Sequence, residues 1–166
     1  VVAGGSSVPI LSAENILTTD AGEKRLMTYE SLSEGGFATG TMLGSGGFIV
    51  MDETTCIVHN TLTFARFYHH ESCGQCSPCR EGTGWMDKVI KRIETGKGRM
   101  EDIDLLVDVA KKIEGNTICL LGDAAAWPVA AAIRHFRDEF EWHITHPEEA
   151  TKPGAVYMRP GASWSN

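Results

Sequence analysis

Long apolar runs are missing from this chain. Nowhere in its 166 residues is there a stretch near the roughly 18–20 apolar residues that a membrane-spanning helix needs. Basic residues are in deficit as well: 15 Lys and Arg against 22 Asp and Glu leave a formal net charge of −7. Nucleic acid and anionic membrane surfaces both want a basic face, so neither fits as the main partner. The opening residues, Val1-Val2-Ala3-Gly4-Gly5, have no basic segment followed by an apolar stretch and no Met. They do not read as a secretory signal, and the expectation is a piece of a longer chain. Five cysteines is an odd number, in a chain too large to need disulfide staples. A reducing compartment with cysteines used as ligands fits better.

What remains is ordinary for one globular unit, or for a small domain plus a piece of another. Hydrophobic residues make up 42% and charged ones 22%, so a real core can form. Against this background the cysteines stand out. Three lie in one run, Cys73-Gly74-Gln75-Cys76-Ser77-Pro78-Cys79, and a solitary Cys119 follows far downstream. Two-residue gaps let one loop wrap a polynuclear core, and a remote fourth thiolate completes the set that a [4Fe-4S] cube needs. Structural zinc in a non-redox binding module is the alternative, but zinc usually takes two separated pairs, and no second pair exists here. Cys56, between Thr55 and Ile57 in an apolar-periodic segment, reads as a spare, buried small hydrophobe.

Periodicity places this run. Residues 1–50 are irregular and strand-like, with Gly4-Gly5-Ser6-Ser7, Pro9 and the glycines from Gly35 to Gly47 as turn chemistry. Phe48-Ile49-Val50-Met51 is the clearest strand. Gly44-Ser45-Gly46-Gly47 precedes that strand instead of joining a strand to a helix, so it reads as a tight turn and not a dinucleotide cradle.

From about residue 53 helical spacing takes over. Ile57, Thr61, Phe64 and Tyr68 form one stripe, ending near Glu71. A second helix after the cysteines turns Trp85, Met86, Val89, Ile90 and Ile93 inward and stops at Gly96 and Gly98. The third carries Ile103, Leu106, Val107, Ala110 and Ile113, with Gly115 as its stop. A fourth starts near Asp123 as N-cap, keeps Pro128 near its first turn, and runs to about His143. Four amphipathic helices with short connections predict a four-helix bundle, and residues after 146 read as a surface tail.

In such a bundle the cysteine loop and the connection holding Cys119 meet at one end. Helix N-termini and Arg80 would then offset the negative charge of four thiolates, while Leu120 and Leu121 keep water away. Other residues draw less chemistry. His69 and His70 complement a helix C-terminus, and His135 belongs to a polar face with Arg134 and Arg137. Glu71 and Glu81 lack an acid–base partner, and no cysteine stands beside an obvious base. Trp85 and Trp127 read as core aromatics or as water-excluding neighbours of the cluster.

The longer segment Glu71-Ser72-Cys73-Gly74-Gln75-Cys76-Ser77-Pro78-Cys79-Arg80-Glu81-Gly82 resembles the iron–sulfur segment of the flavin-carrying, NADH-oxidising subunit family of respiratory complex I. Ile118 to Pro128 resembles the distal cysteine segment of that family, and Arg134-His135-Phe136-Arg137 continues the likeness. Gly4 to Pro9 and Met42 to Asp52 resemble the part that lies upstream of the bundle.

The resemblance covers about residues 1–143 and implies a specific role. Cys73, Cys76, Cys79 and Cys119 carry over as the ligands of one [4Fe-4S] cluster, and Cys56 matches no ligand position. It implies a mainly α fold: residues 1–52 end a small β-grasp-like linker domain, 53–145 form the helical-bundle cluster domain, and 146–166 are a tail. Electrons would come from NADH through FMN, both on an upstream domain of the same subunit, and leave towards quinone. Implied partners are that flavin domain, a small [2Fe-2S] subunit and a large multi-cluster subunit. The implied location is the peripheral arm of a membrane complex, on the bacterial cytoplasmic or mitochondrial matrix side. NAD-linked hydrogenases and formate dehydrogenases carry related subunits. No residue here makes or breaks a substrate bond, so the segment alone is expected to lack NADH oxidation activity.

Overall fold

The computed structural model describes residues 1–14, 16, 22, 28–30 and 40–157. Four helices dominate: α1 over Ile57–Glu71, α2 over Ser77–Glu94, α3 over Met100–Ile113 and α4 over Leu121–Thr145, followed by a one-turn helix α5 over Pro147–Ala150. Each long helix packs on the next, and α4 closes back onto both α1 and α2. Short connections make neighbours antiparallel, so the α1–α2 and α3–α4 connections share one end of the bundle. No helix among the described residues is long and apolar enough to cross a membrane.

One apolar core joins all four helices. Met86, Ile90 and Ile93 of α2 meet Ile103, Leu106 and Ile113 of α3, Val58 and Leu62 of α1, and Val129, Ala132 and Phe140 of α4. Val2, Val8 and Ile10 belong to the same core. A buried ion pair also ties α2 to α3. Asp102 accepts from Arg92 Nε at 2.9 Å and from the Arg99 backbone N–H at 2.9 Å, which caps α3.

The expected strand at Phe48–Met51 is reduced to one antiparallel bridge between Ile49 and Val2, with Gly5 donating to Gly47 alongside. Phe48 and Val50 are 56% and 71% exposed, so this is no buried strand. Turns on both sides cut the pairing short. Before it, Gly46 N–H closes on Leu43 as the tight turn expected of the glycine run; after it, Asp52 Oδ1 accepts from Thr54 N–H and from both threonine hydroxyls. The same Asp52 turn holds residues 52–55 out of α1, which begins at Ile57, the first residue of the expected stripe.

Two further expectations are corrected. Trp85 is 55% exposed and does not face the core, because Met86 and Val89 occupy the inner stripe beside it. Asp123 does not cap α4: the helix starts two residues earlier, and the carboxylate accepts the Gly115 N–H at 2.7 Å. Pro128 therefore lies well past the first turn. Its ring costs an intrahelical bond, about 3 kcal/mol, and the buried face of Ala125, Val129 and Ala132 holds the helix together regardless. The helix is broken instead at Phe136, whose φ of −134° and ψ of 29° are not helical.

Candidate iron–sulfur site

The cysteine run straddles the junction of α1 and α2. Ser72 ends α1, its N–H closing on Tyr68 at 3.0 Å. Cys73 is exposed in the connection, Cys76 is the N-cap of α2, and Cys79 is buried in the first turn of that helix. Gly74 sits between them with a φ of +78°, a left-handed conformation that side chains disfavour. Pro78 occupies the start of α2, where its missing N–H has no intrahelical role.

Arg80 clasps the loop it follows. Its Nη1 donates to the Gly74 carbonyl at 2.7 Å, its Nη2 to Ser77 Oγ at 3.4 Å, and its Nε to Glu81 at 2.9 Å. The guanidinium is thus anchored on the loop that carries the thiols, with Glu81 as its counter-ion. Ser72 Oγ lies 3.2 Å from Cys79 Sγ and accepts the Gly74 N–H.

The distal connection folds onto α4 through several bonds. Asp123 holds Gly115, the Thr117 hydroxyl donates to the Cys119 carbonyl at 2.9 Å, and Trp127 Nε1 donates to Glu114 at 2.7 Å. A side chain at Gly122 would strike Thr117 at 2.5 Å, so the close approach requires glycine. This folding presents the backbone N–H of Ile118 to Cys76 Sγ at 3.4 Å, joining residues 42 positions apart. The exposed Cys119 follows directly.

Two site expectations change. Leu120 is 74% exposed and does not shield the cysteines, because the inner side of the connection is filled by Thr117 against Gly122; Leu121 alone packs on the core. Trp85 and Trp127 are not core aromatics, since Trp85 is outside and Trp127 is bound to Glu114. His69 turns to Asp87, with Nδ1 at 3.6 Å, and His70 lies near Glu71. Arg137 pairs with Asp104 and Glu141, as a polar face would. Sequence reasoning passed over Ser72, Thr117 and the Ile118 N–H. Ser72 could have been found from its place beside Cys73, but a backbone donor leaves no mark in the residue type.

The NADH-ubiquinone oxidoreductase-F iron-sulfur binding region matches residues 59–143, which span the whole cysteine set from Cys73 to Cys119. The chain belongs to this family. The F subunit of NADH-quinone oxidoreductase from Rickettsia bellii (strain OSU 85-389) is 49% identical over 144 residues, 87% of this chain and 32% of that protein. An F-type relative from Rhizobium meliloti (strain 1021) is 46% identical over 157 residues, 94% of this chain and 34% of its own. The chain therefore spans about a third of the length of these curated relatives. Among solved structures, the NAD+-reducing [NiFe]-hydrogenase in its H2-reduced state aligns with a TM-score of 0.68 and 29% identity, over 86% of this chain and 22% of that one.

Proposed function

We propose that Cys73, Cys76, Cys79 and Cys119 hold one [4Fe-4S] cluster in the F-type subunit of an NADH-quinone oxidoreductase, on the electron path from NADH and FMN towards quinone. The observation that carries this reading is the Ile118 N–H on Cys76 Sγ, which brings the distal cysteine segment onto the cysteine loop. When bound, the cluster supplies a centre that takes up and releases one electron at a time.

The chain's own groups support that task. The N-terminal turn of α2, the Ile118 N–H, the Ser72 hydroxyl and the Arg80 guanidinium all oppose negative charge at the sulfurs. Three of the four cysteines stand in one run with no second separated pair, which favours a polynuclear core over a structural zinc. Exposure of Cys73 and Cys119 leaves a short path for electrons, and the exposed Ile118 and Leu120 favour a neighbouring subunit at this end.

In this reading residues 1–52 end the β-grasp-like linker, 53–145 are the cluster domain and 146–166 the tail. FMN and NADH bind an upstream flavin domain, so the chain by itself has no NADH oxidation activity. A small [2Fe-2S] subunit and a large multi-cluster subunit complete the path in a peripheral membrane complex. The diaphorase role in an NAD-linked hydrogenase is the second reading, favoured by the structural neighbour. The higher identity to quinone-reductase relatives favours the first.

The test is anaerobic purification of the complete subunit with iron, acid-labile sulfide and zinc analysis. About four iron and four sulfide for this centre, per the stoichiometry of the cube, would support the reading. Zinc at the four cysteines without sulfide would sink it.

A further inference from the structure

The opposite end of the bundle carries a second gathering of ligand-type side chains. Cys56 stands before α1, Glu94 is the last residue of α2, and Glu139 and His143 lie one turn apart near the end of α4. Cys56 Sγ is 3.3 Å from His143 Nε2, and a Glu139 carboxylate oxygen joins them, with all three ligand atoms within 4.8 Å of one another. Glu139 and His143 are buried, and Cys56 is half-buried. One sulfur, one imidazole nitrogen and one carboxylate oxygen are the donor types of zinc, and three protein ligands leave a fourth position open.

Capping accounts for part of this arrangement. Cys56 Sγ accepts the His59 N–H at 3.3 Å, and Glu139 Oε1 accepts the Ile57 N–H at 2.7 Å, so both satisfy the start of α1. Capping does not account for His143. Its Nδ1 is buried without a hydrogen-bond partner, and so is Glu94 Oε2, 3.6 Å away. Buried polar atoms without partners are rare enough that each requires a reason. Metal-bound histidines characteristically aim the other ring N–H at a carboxylate, which fixes the tautomer and the ring. With Nε2 on a metal, Nδ1 carries the proton and faces Glu94. Glu94 is itself held from its other oxygen by His59 Nδ1 at 3.0 Å.

Electrostatics agrees with this geometry. Burial, then the charges of Glu139 and Glu94, pushes the Cys56 thiol up to about 12. Burial raises Glu139 to about 7 and lowers His143 to about 4. The imidazole is therefore already in the neutral, metal-binding form at neutral pH. A cation is what would draw the thiol proton off. Access exists too: a cleft of about 660 Å³ lined by Thr54, Cys56, His59, Asn60, Glu94 and Thr151 opens beside the sulfur.

We infer that Cys56, Glu139 and His143 form a mononuclear zinc-class metal site, with Glu94 orienting His143 and water completing the tetrahedron. Binding releases the Cys56 thiol proton to solvent as the zinc–sulfur bond replaces a zinc–water bond. The 15 residues of α1 set this site about 22 Å from the cysteine loop at 1.5 Å per residue, so it is independent of the cluster.

The experiment uses the complete subunit, purified anaerobically with its iron and sulfide intact, then equilibrated with micromolar zinc and freed of excess. Wild type retains one zinc beyond its iron, and zinc K-edge X-ray absorption shows one sulfur among nitrogen and oxygen ligands. Cys56→Ser and His143→Gln each lose this zinc with iron and sulfide unchanged; serine keeps a cap acceptor at the start of α1. Glu94→Gln binds zinc about 10–100-fold more weakly, the usual loss for an outer-shell partner. The inference is overturned if wild type retains no more zinc than the Cys56→Ser/His143→Gln double variant. It is equally overturned if the wild-type spectrum shows four sulfur ligands, which would put the zinc at Cys73, Cys76, Cys79 and Cys119. The wild-type spectrum decides even where a variant misfolds.

Discussion

The Ser72 hydroxyl and the Cys79 sulfur lie 3.2 Å apart across the start of α2. When Cys79 is a ligating thiolate only the hydroxyl can donate, and donation favours the more negative, reduced state of the centre. A hydrogen bond of about 0.5–1.5 kcal/mol corresponds to about 20–60 mV for one electron. Ser72→Ala is expected to lower the reduction potential by that amount, measured by redox titration followed by electron paramagnetic resonance. An unchanged or higher potential would show that the hydroxyl does not act on the sulfur.

Cys119→Ser is expected to abolish the [4Fe-4S] resonance signal or convert it to another form, with reduced iron and sulfide content. Cys56→Ser is expected to leave the signal intact, because Cys56 lies beyond the other end of α1 from the cysteine loop. A wild-type spectrum from Cys119→Ser would remove that residue from the ligand set.

Acid stability reports on Asp102. Burial alone would raise its carboxyl, but the Arg92 and Arg99 hydrogen bonds and charges outweigh this and hold it below the ordinary value of 3.8. The folded value is depressed, so the contribution to stability is complete above the unfolded value and fades as pH falls through the folded one. Asp102→Asn should cost about 1–3 kcal/mol at neutral pH and less as pH falls below the unfolded value. Urea unfolding at neutral pH and near pH 3 tests this; equal losses at both would exclude Asp102 as the titrating group.

Gly82 lies where the first turns of α2 pack on the end of α3. A methyl group there would meet Ile113 Cδ1 and Cγ1 at 2.6 Å, inside the core. Gly82→Ala should cost about 1–3 kcal/mol through overpacking, despite alanine's better helix propensity. A thermal midpoint equal to or above wild type would mean that Ile113 has room to move.

The bundle and the cysteine set were legible because their signals are local. Apolar stripes at helical spacing, and Gly96 and Gly115 at φ near +70°, mark α2 and α3 within a few residues. The turn just before α1 leaves no such mark, because it rests on Asp52 bonding Thr54 and Thr55, a competition that composition does not weigh. Trp85 was misassigned because apolar character alone does not say which side of a stripe a residue borders. The grouping of Cys56 with His143 was invisible, since the 87 positions between them are closed only by tertiary packing.

The break at Phe136 gives α4 a mechanical consequence. A continuous 25-residue helix would act as one rod, carrying any tilt of its last turns to the segment that presents Cys119. With a break two-thirds of the way along, the Glu139–His143 portion takes its own angle, independent of the one at which Asp123 holds Gly115. One helix therefore serves both ends of the bundle while its two halves can settle separately.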